Sequence, residues 1–189
     1  MMLSNEDIKA AIKAGELEIK PFSEKYIRAS GITLHLGCHL LKPIPGTIVD
    51  PKKRTVPEHK EILIEDDHPY PLQPGEFLLG HTHQTVTVGP SLGFLIEGRS
   101  TLARVGLTIV QTAMMVYPGH RDRAITLELA NHGPNPIMLY PKMKIARVAL
   151  IQMKTPCTDL YDDTGKYRNQ SVVGVPIFEN EFIDNGDSK

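Results

Sequence analysis

The sequence predicts a mainly β fold, a distorted barrel or jelly roll of about ten short strands with a short N-terminal helix. Apolar residues come in short runs, and many of them alternate with polar residues at period two. Fifteen prolines and 15 glycines are spread between these runs and supply the turns. The 189 residues, 41% of them hydrophobic, suffice for a sizeable core, so we predict one domain spanning residues 1–189.

The first predicted element is a helix near the N-terminus. Ser4 is a suitable N-cap, and Asp7 follows three residues later, as in a capping box. An apolar stripe begins at Ile8, and Gly15 suits the left-handed position that ends many helices. We expect this helix to serve packing.

The strands are predicted from period-two alternation and from short apolar runs between turn residues. They are placed at residues 17–19, 32–36, 62–64, 77–79, 85–88, 124–130, 136–139 and 144–151. Residues 43–59 hold four prolines and mixed charge, which predicts a loop with room for one short strand. The last part of the chain, from about residue 155 to residue 189, is polar and is predicted to be a C-terminal tail.

Charge and hydropathy exclude several function classes. A formal net charge of -1 offers no basic surface for broad binding of nucleic acid or anionic membranes. No apolar run approaches the roughly 20 residues of a membrane helix, and the acidic N-terminus lacks the apolar stretch of a signal peptide. Cys38 and Cys157 form at most one disulfide, and we interpret them as idle thiols in a reducing compartment. These features predict a cytoplasmic protein without nucleic-acid or membrane partners.

The most informative segment is residues 94–131. Ser100 and Arg104 follow an apolar run, and an alternating strand at 124–130 carries Glu128. Period two puts Thr126 and Glu128 on one face of that strand and Leu127 on the other. Because a bare carboxylate is costly to bury, Glu128 must meet water, a cation or a substrate. A structural salt bridge with Arg104 is one explanation, and a proton-transferring carboxylate is the other.

Four motifs follow one another through this segment: GRSTLAR at 98–104, QTA at 111–113, PG at 118–119 and ITLE at 125–128. Their order resembles the dCTP deaminases of the dUTP-diphosphatase-like superfamily. The resemblance is collinear, from MLS at 2–4 to KYRNQ at 166–170. It implies a dUTPase-like (β-clip) form of the fold and a hydrolase acting on a cyclic amidine C–N bond. The implied reaction is metal-free hydrolysis of dCTP to dUTP and ammonia, in pyrimidine deoxynucleotide metabolism.

The resemblance also implies roles for individual residues. Glu128 matches the proton shuttle, Ser100 and Arg104 match residues that hold the water, and Ala113 matches a main-chain carbonyl at the site. Nucleotide contacts are implied for Arg99, Ser100, Thr101, Arg104, Tyr117, Thr126, Leu127, Glu128, Tyr161, Lys166 and Gln170. The tail would order over the nucleotide, although a solvated terminus explains its charge equally simply. The family further implies a homotrimer with sites between subunits, and Mg²⁺ that accompanies the triphosphate without acting in deamination.

The chain departs from the family pattern near the site. Residues 114–117 read MMVY, so Met114, Met115 and Tyr117 occupy a stretch that ordinarily ends in an Asp bonded to the sugar 3′-hydroxyl. The turn at 120–123 is one residue longer than usual, and GITL at 31–34 replaces Ser-Ile-Asp-Leu. A retuned substrate or a lost activity would explain these departures. We predict retained deamination because Glu128 and its partners are all present.

Two alternatives stay open. One is a dUTP diphosphatase or a bifunctional deaminase–diphosphatase, against which Tyr117 argues because diphosphatases position their water with an Asp in that stretch. The other is a catalytically silent nucleotide-binding trimer of the same fold.

No metal site is predicted. The zinc deaminase pattern requires P-C-x-x-C, and Cys157 has no second cysteine at that spacing. His81 and His83 form an H-x-H pair like that of metal-binding cupins, but Thr87 stands near where the cupin motif has Glu. We interpret the pair as surface or interface histidines.

Overall fold

The structure is a computed structural model that describes residues 1–170 and 172–182. Its helices are α1 (Asn5–Lys13), α2 (Ser100–Ala103) and α3 (Tyr161–Thr164), with a 3₁₀ turn at Glu24–Tyr26. The first strands are β1 (Leu17–Lys20), β2 (Ile27–Arg28), β3 (Gly31–His35), β4 (His39–Pro43), β5 (His59–Leu63) and β6 (Tyr70–Leu72). The remaining strands in these ranges are β7 (Phe77–Val88), β8 (Leu92–Gly98), β9 (Leu107–Thr108), β10 (Met115–Val116), β11 (Arg123–Asn131), β12 (Ile137–Leu139) and β13 (Lys144–Gln152).

Helix α1 begins and ends where the sequence predicts. The Ser4 hydroxyl accepts the backbone N–H of Asp7, and the Asp7 carboxylate accepts the backbone N–H of Ser4, so the capping box is confirmed. Ile8 is fully buried, and Gly15 has a φ of 76° just past the helix end. In the part of the chain that is described, no helix has the length and apolar character to cross a membrane. Cys38 and Cys157 are free thiols.

Two antiparallel sheets make up most of the fold. The larger has the order β5-β4-β7-β11-β9, with β1 also paired to β7, and the smaller has the order β10-β8-β13-β3-β2. Strands β6 and β12 form a separate pair. The mainly β class is thus confirmed, but the sheets are not closed into a barrel. Within the described ranges each large sheet ends in edge strands. Closure could not be predicted reliably, because strand order depends on long-range pairing that period-two patterns do not encode.

One hydrophobic core draws on both large sheets. Leu34, Phe94 and Val148 from the smaller sheet are fully buried together with Leu127 and Leu129 of β11. These two leucines fix the orientation of β11, because successive side chains of a strand point to opposite faces. Thr126 and Glu128 share the other face, as predicted, and both are only partly buried.

Strand β7 is a single strand of 12 residues where two short strands were predicted. Its pairing with β11 is irregular: Thr85 lies opposite Ala124 and His81 opposite Thr126, so residues 82–84 of β7 face only Ile125. The Thr82 hydroxyl supplies the missing hydrogen-bond partners at this irregularity. It accepts the N–H of Ile125 at 2.9 Å and donates to the Gln84 carbonyl at 2.7 Å. This bulge sets the register of the strand that carries Glu128.

We expect Thr82→Val to destabilise the protein by about 2 kcal/mol, because the isosteric change leaves two buried backbone groups without a partner. Thr85→Val is the matched control, since the Thr85 hydroxyl bonds the exposed Asp122 side chain; its effect should stay within about 0.5 kcal/mol. Urea unfolding followed by circular dichroism measures both. Equal stability of the two variants would contradict a structural role for the Thr82 hydroxyl.

Candidate active site

A cavity of about 620 Å³ lies against the partly buried face of β11. Seven of the residues predicted for the site line it: Ala113, Tyr117, Thr126, Glu128, Tyr161, Lys166 and Gln170. They come from β11, from the segment leading into it and from the tail. The structure therefore brings together residues that are up to 57 positions apart in sequence, between Ala113 and Gln170.

Glu128 is held in the cavity by backbone groups. Its own N–H bonds the Ile109 carbonyl at 3.0 Å, and its Oε2 accepts the N–H of Gln111 at 3.0 Å. Within the described residues, no Lys, Arg or His nitrogen lies within ion-pair distance of Glu128, so the structural salt bridge with Arg104 is not formed in the chain. The carboxylate is thus oriented through one oxygen and not neutralised by a cation.

The tail runs across the cavity and contacts β11. The Tyr161 N–H bonds the Pro118 carbonyl at 2.9 Å, and the Gln170 amide donates to the Thr126 hydroxyl at 2.7 Å. Lys166 forms an ion pair with Glu181. These contacts attach parts of the tail to β11 and to the segment before it. Ser171 and residues 183–189 of the predicted tail lie outside the described residues.

Arg123 is a charged lining residue that was not predicted for the site. Its Nη1 bonds Asp162 at 2.6 Å and also contacts the Arg168 carbonyl, and its guanidinium lies 5.8 Å from the Tyr161 ring centroid. The side chain is only 11% exposed, and its buried Nε and Nη2 have no hydrogen-bond partner among residues 1–170 and 172–182. The sequence feature that could have indicated Arg123 is the long, charged turn RDR at 121–123, which departs from the family spacing. Arg123 therefore connects α3 to β11 through its ion pair with Asp162.

His120 supplies a neutral surface next to Arg123. Burial lowers the pKa of His120, and the Arg123 charge lowers it further, although the Arg123 carbonyl and Asp162 act in the opposite direction. The ring nitrogen Nε2 faces the Arg123 carbonyl at 3.3 Å, and the ring lies 5.9 Å from that of Tyr161. An imidazole with a lowered pKa is uncharged at neutral pH.

The remaining predicted residues lie outside this cavity. Arg99 is the N-cap of α2, Ser100 and Thr101 begin that short helix, and Arg104 lines a different cavity beside residues 133–137. Leu127 is buried in the core, so only its main chain can face a ligand. One chain therefore holds two separate groups of predicted residues, the Glu128 cavity and the exposed surface of α2.

Similarity to known proteins agrees with the motif order. The sequence profile of the dCTP deaminase-like family matches residues 2–153. The chain belongs to that family.

Relatives extend the similarity beyond the profile. A protein of Mycobacterium avium called "dCTP deaminase, dUMP-forming" is 35% identical over 175 residues, which cover 90% of this chain and 92% of that protein. A protein of the same name from Dictyoglomus thermophilum is 38% identical over 177 residues, covering 90% and 91% of the two chains. Among solved structures, the 2′-deoxycytidine 5′-triphosphate deaminase of Agrobacterium tumefaciens matches with a TM-score of 0.60 at 12% identity. That match covers 79% of this chain and 47% of the other, and it shows a shared fold.

This member of the dCTP deaminase-like family places Tyr117 at the rim of the cavity. The side chain is 58% exposed, whereas Val116 before it and Pro118 after it are buried. Met115 lines the cavity as well, and Met114 is half exposed outside it. The MMVY departure thus puts an aromatic ring and a thioether in the lining of the cavity.

The H-x-H pair needs a correction. His81 is buried, not a surface histidine: its Nδ1 bonds the Thr82 carbonyl at 2.9 Å, and its Nε2 accepts the His39 N–H at 3.3 Å. A Cβ on Gly37 would lie 2.1 Å from the His81 ring, so that glycine is required for the close packing. Both ring nitrogens are occupied, which makes His81 a structural residue of the bulged strand β7.

We expect Arg123→Gln to loosen the tail, because the substitution removes the ion pair with Asp162 while leaving β11 intact. Hydrogen exchange of the Tyr161 and Gln170 amides should accelerate about tenfold, the effect of losing roughly 1.4 kcal/mol of local stability. Arg121→Gln is the control, since Arg121 is exposed and its Nε comes no closer to Asp162 than 4.0 Å, a weak contact. Unchanged exchange in the Arg123 variant would contradict the anchoring role.

Proposed function

We propose that this chain deaminates dCTP, as a hydrolase acting on the cyclic amidine C–N bond of cytosine. Water adds to the ring carbon that carries the amino group, and ammonia leaves, so that dCTP and water give dUTP and ammonia. The observation that carries the proposal is Glu128, a carboxylate without a cationic partner in the described chain, oriented by the Gln111 N–H inside a cavity crossed by the tail. The names of the relatives, which specify dCTP deaminase, support the same substrate.

Each residue group has a step in this proposal. Glu128 takes a proton from the attacking water and returns it to the departing nitrogen. Ser100 and Arg104 orient that water and stabilise the developing charge, and the Ala113 carbonyl accepts a hydrogen bond at the site. Lys166 would exchange its ion pair with Glu181 for one with the triphosphate, and Gln170 together with Tyr161 covers the nucleotide.

Ser100 and Arg104 lie outside the Glu128 cavity of their own chain. We propose that a neighbouring subunit supplies them, in a homotrimer with three sites between subunits. The exposure of Ser100, Thr101 and Arg104 on α2 supports this, because all three are accessible to another copy of the chain. The enzyme would act on the free nucleotide pool of the cytoplasm.

Magnesium would accompany the triphosphate. Among the residues that the structure describes, one carboxylate lines the cavity, Glu128, and it already accepts the Gln111 N–H. The lining therefore fits an ion held by phosphate oxygens and not by a protein ligand set. The ion would neutralise phosphate charge, and we assign it no role in the deamination.

A second candidate function is continued hydrolysis of dUTP to dUMP and pyrophosphate. The "dUMP-forming" names of the Mycobacterium avium and Dictyoglomus thermophilum proteins favour it. Tyr117, in the stretch that ends in Asp elsewhere, disfavours it.

The deciding experiment incubates the purified protein with dCTP, CTP or dUTP and measures ammonia and pyrophosphate. Ammonia from dCTP, with little from CTP, supports deamination of the deoxynucleotide. Pyrophosphate from dCTP and from added dUTP would establish the second step. Nucleotide binding without either product would leave only the catalytically silent trimer.

A further inference from the structure

Residues 172–182, the end segment of the described chain, border the Glu128 cavity. Gly174 and Pro176 line this cavity, whereas the valines on either side of Gly174 line a smaller cavity, of about 440 Å³, beside β4 and β5. Alternation at period two is the pattern of an extended chain. The end segment therefore forms part of the wall of the Glu128 cavity.

The end segment contacts two polar side chains of the tail that line the same cavity, Gln170 and Tyr167. The Gln170 amide donates to the Val172 carbonyl at 2.7 Å. A Cβ on Gly174 would lie 2.7 Å from the Gln170 side-chain oxygen, so the segment packs closely on that side chain. The Tyr167 hydroxyl accepts the Ile177 N–H at 3.2 Å. The segment thus occupies polar groups that a ligand in the cavity would meet.

The acidic end of the segment pairs with Lys166. Asn180 has a φ of 55°, a left-handed conformation that Asn adopts more readily than most residues, and the chain bends there just before Glu181. Glu181 forms an ion pair with Lys166, whose side chain is 29% exposed. Within the described residues Lys166 forms no other ion pair. A carboxylate offers an ammonium group the same charge-assisted hydrogen bond as a phosphate does.

We propose that the end segment is autoinhibitory: Glu181 competes with the phosphate oxygens of a nucleotide for Lys166, and nucleotide binding displaces the segment. The inference rests on the proposed function, because it takes Lys166 as a contact of the triphosphate. Two anionic groups at one ammonium repel each other, so the carboxylate and the phosphate disfavour each other there. Glu181 is only 15 positions from Lys166 in the same chain, so the competition is independent of protein concentration. The apparent Kd for the nucleotide rises as the fraction of chains with a free Lys166 falls.

The first test is a calorimetric titration of the full chain with dCTP. We expect Glu181→Gln to bind dCTP about threefold more tightly, a modest gain because a partly exposed ion pair contributes little free energy. Glu179→Gln is the matched control, since Glu179 is an exposed acid of the same segment and forms no ion pair within the described residues. The control removes the same charge and should leave the dCTP affinity unchanged.

A double-mutant cycle separates competition for Lys166 from a general effect of charge. In a Lys166→Gln background the carboxylate has no cation to occupy, so the further change Glu181→Gln should leave the dCTP affinity unaltered. If Glu181→Gln tightens dCTP binding equally with and without Lys166, the competition is absent and the proposal is overturned.

Hydrogen exchange of the Ile177 amide gives a readout that needs no substitution. This N–H bonds the Tyr167 hydroxyl while the end segment is in place. Saturating dCTP should accelerate its exchange by about threefold or more, because displacement of the segment breaks that hydrogen bond. Unchanged or slower exchange in the presence of dCTP would show that the segment stays in place over the ligand, and the proposal would be overturned.

The measurements distinguish autoinhibition from the deaminase activity itself. Equal dCTP affinity of the wild type and the Glu181 variant, with turnover of dCTP, overturns the autoinhibition alone. Tighter dCTP binding by the Glu181 variant without ammonia release supports the autoinhibition and counts against deamination. If dCTP binds to neither protein, both proposals are overturned together.

Discussion

Glu128→Gln is expected to lower the rate of ammonia release from dCTP by about 10³-fold, the contribution typical of a positioned general acid–base. The amide retains an oxygen that can accept the Gln111 N–H, so the strand and the cavity should keep their shape. What is lost is the ability to carry a proton from water to the leaving nitrogen. Steady-state ammonia release and calorimetric binding of dCTP together measure the effect, with turnover falling and nucleotide affinity changing by less than about threefold.

Glu61→Gln is the matched control, because Glu61 lies exposed on β5, outside the lining of the Glu128 cavity. Its turnover should equal that of the wild type. Should the Glu128 variant keep a third or more of the wild-type rate, Glu128 is not the proton shuttle.

Arg104→Gln is expected to lower kcat by about 10²-fold, since it removes a charged donor from the developing charge at the reacting carbon. The proposed arrangement adds a stricter expectation for mixtures. The Arg104 variant has an intact Glu128, and the Glu128 variant has an intact Arg104. When equal amounts are unfolded and refolded together, about a quarter of the intersubunit sites should receive both wild-type residues.

Recovery of roughly a quarter of the wild-type rate in the mixture would support sites between subunits. Each variant refolded alone is the control and should remain at its own low rate. If the mixture recovers nothing while both variants fold and assemble, Arg104 and Glu128 do not meet across a subunit boundary.

Local signals in the sequence predicted the elements that depend on neighbours in the chain. Ser4 and Asp7 cap α1 through residues three positions apart, and the period-two pattern correctly put Glu128 on the partly buried face of β11. The order of strands was not predictable in this way, because β7 pairs with strands distant in sequence on both sides. The bulge at residues 82–84 was not predicted either, since it depends on a hydrogen bond that the Ile125 N–H donates to the Thr82 hydroxyl, 43 positions away.

In the candidate site too, sequence motifs indicated some residues, and tertiary contacts alone placed the others. The motif order indicated seven residues that line the Glu128 cavity, but it gave no indication of Arg123, whose role depends on Asp162 in the tail. His81 was interpreted as a surface residue because its packing against Gly37 is a tertiary contact without a pattern in the sequence.

The contact between Gln170 and Thr126 has a kinetic consequence. Because the chain itself supplies both partners, part of the entropy of ordering the tail is lost during folding. We expect the tail to lift before a nucleotide enters, so that this opening step limits the association rate at high ligand concentration. Saturation of the observed association rate, rather than a linear rise with dCTP concentration, is the expected signature.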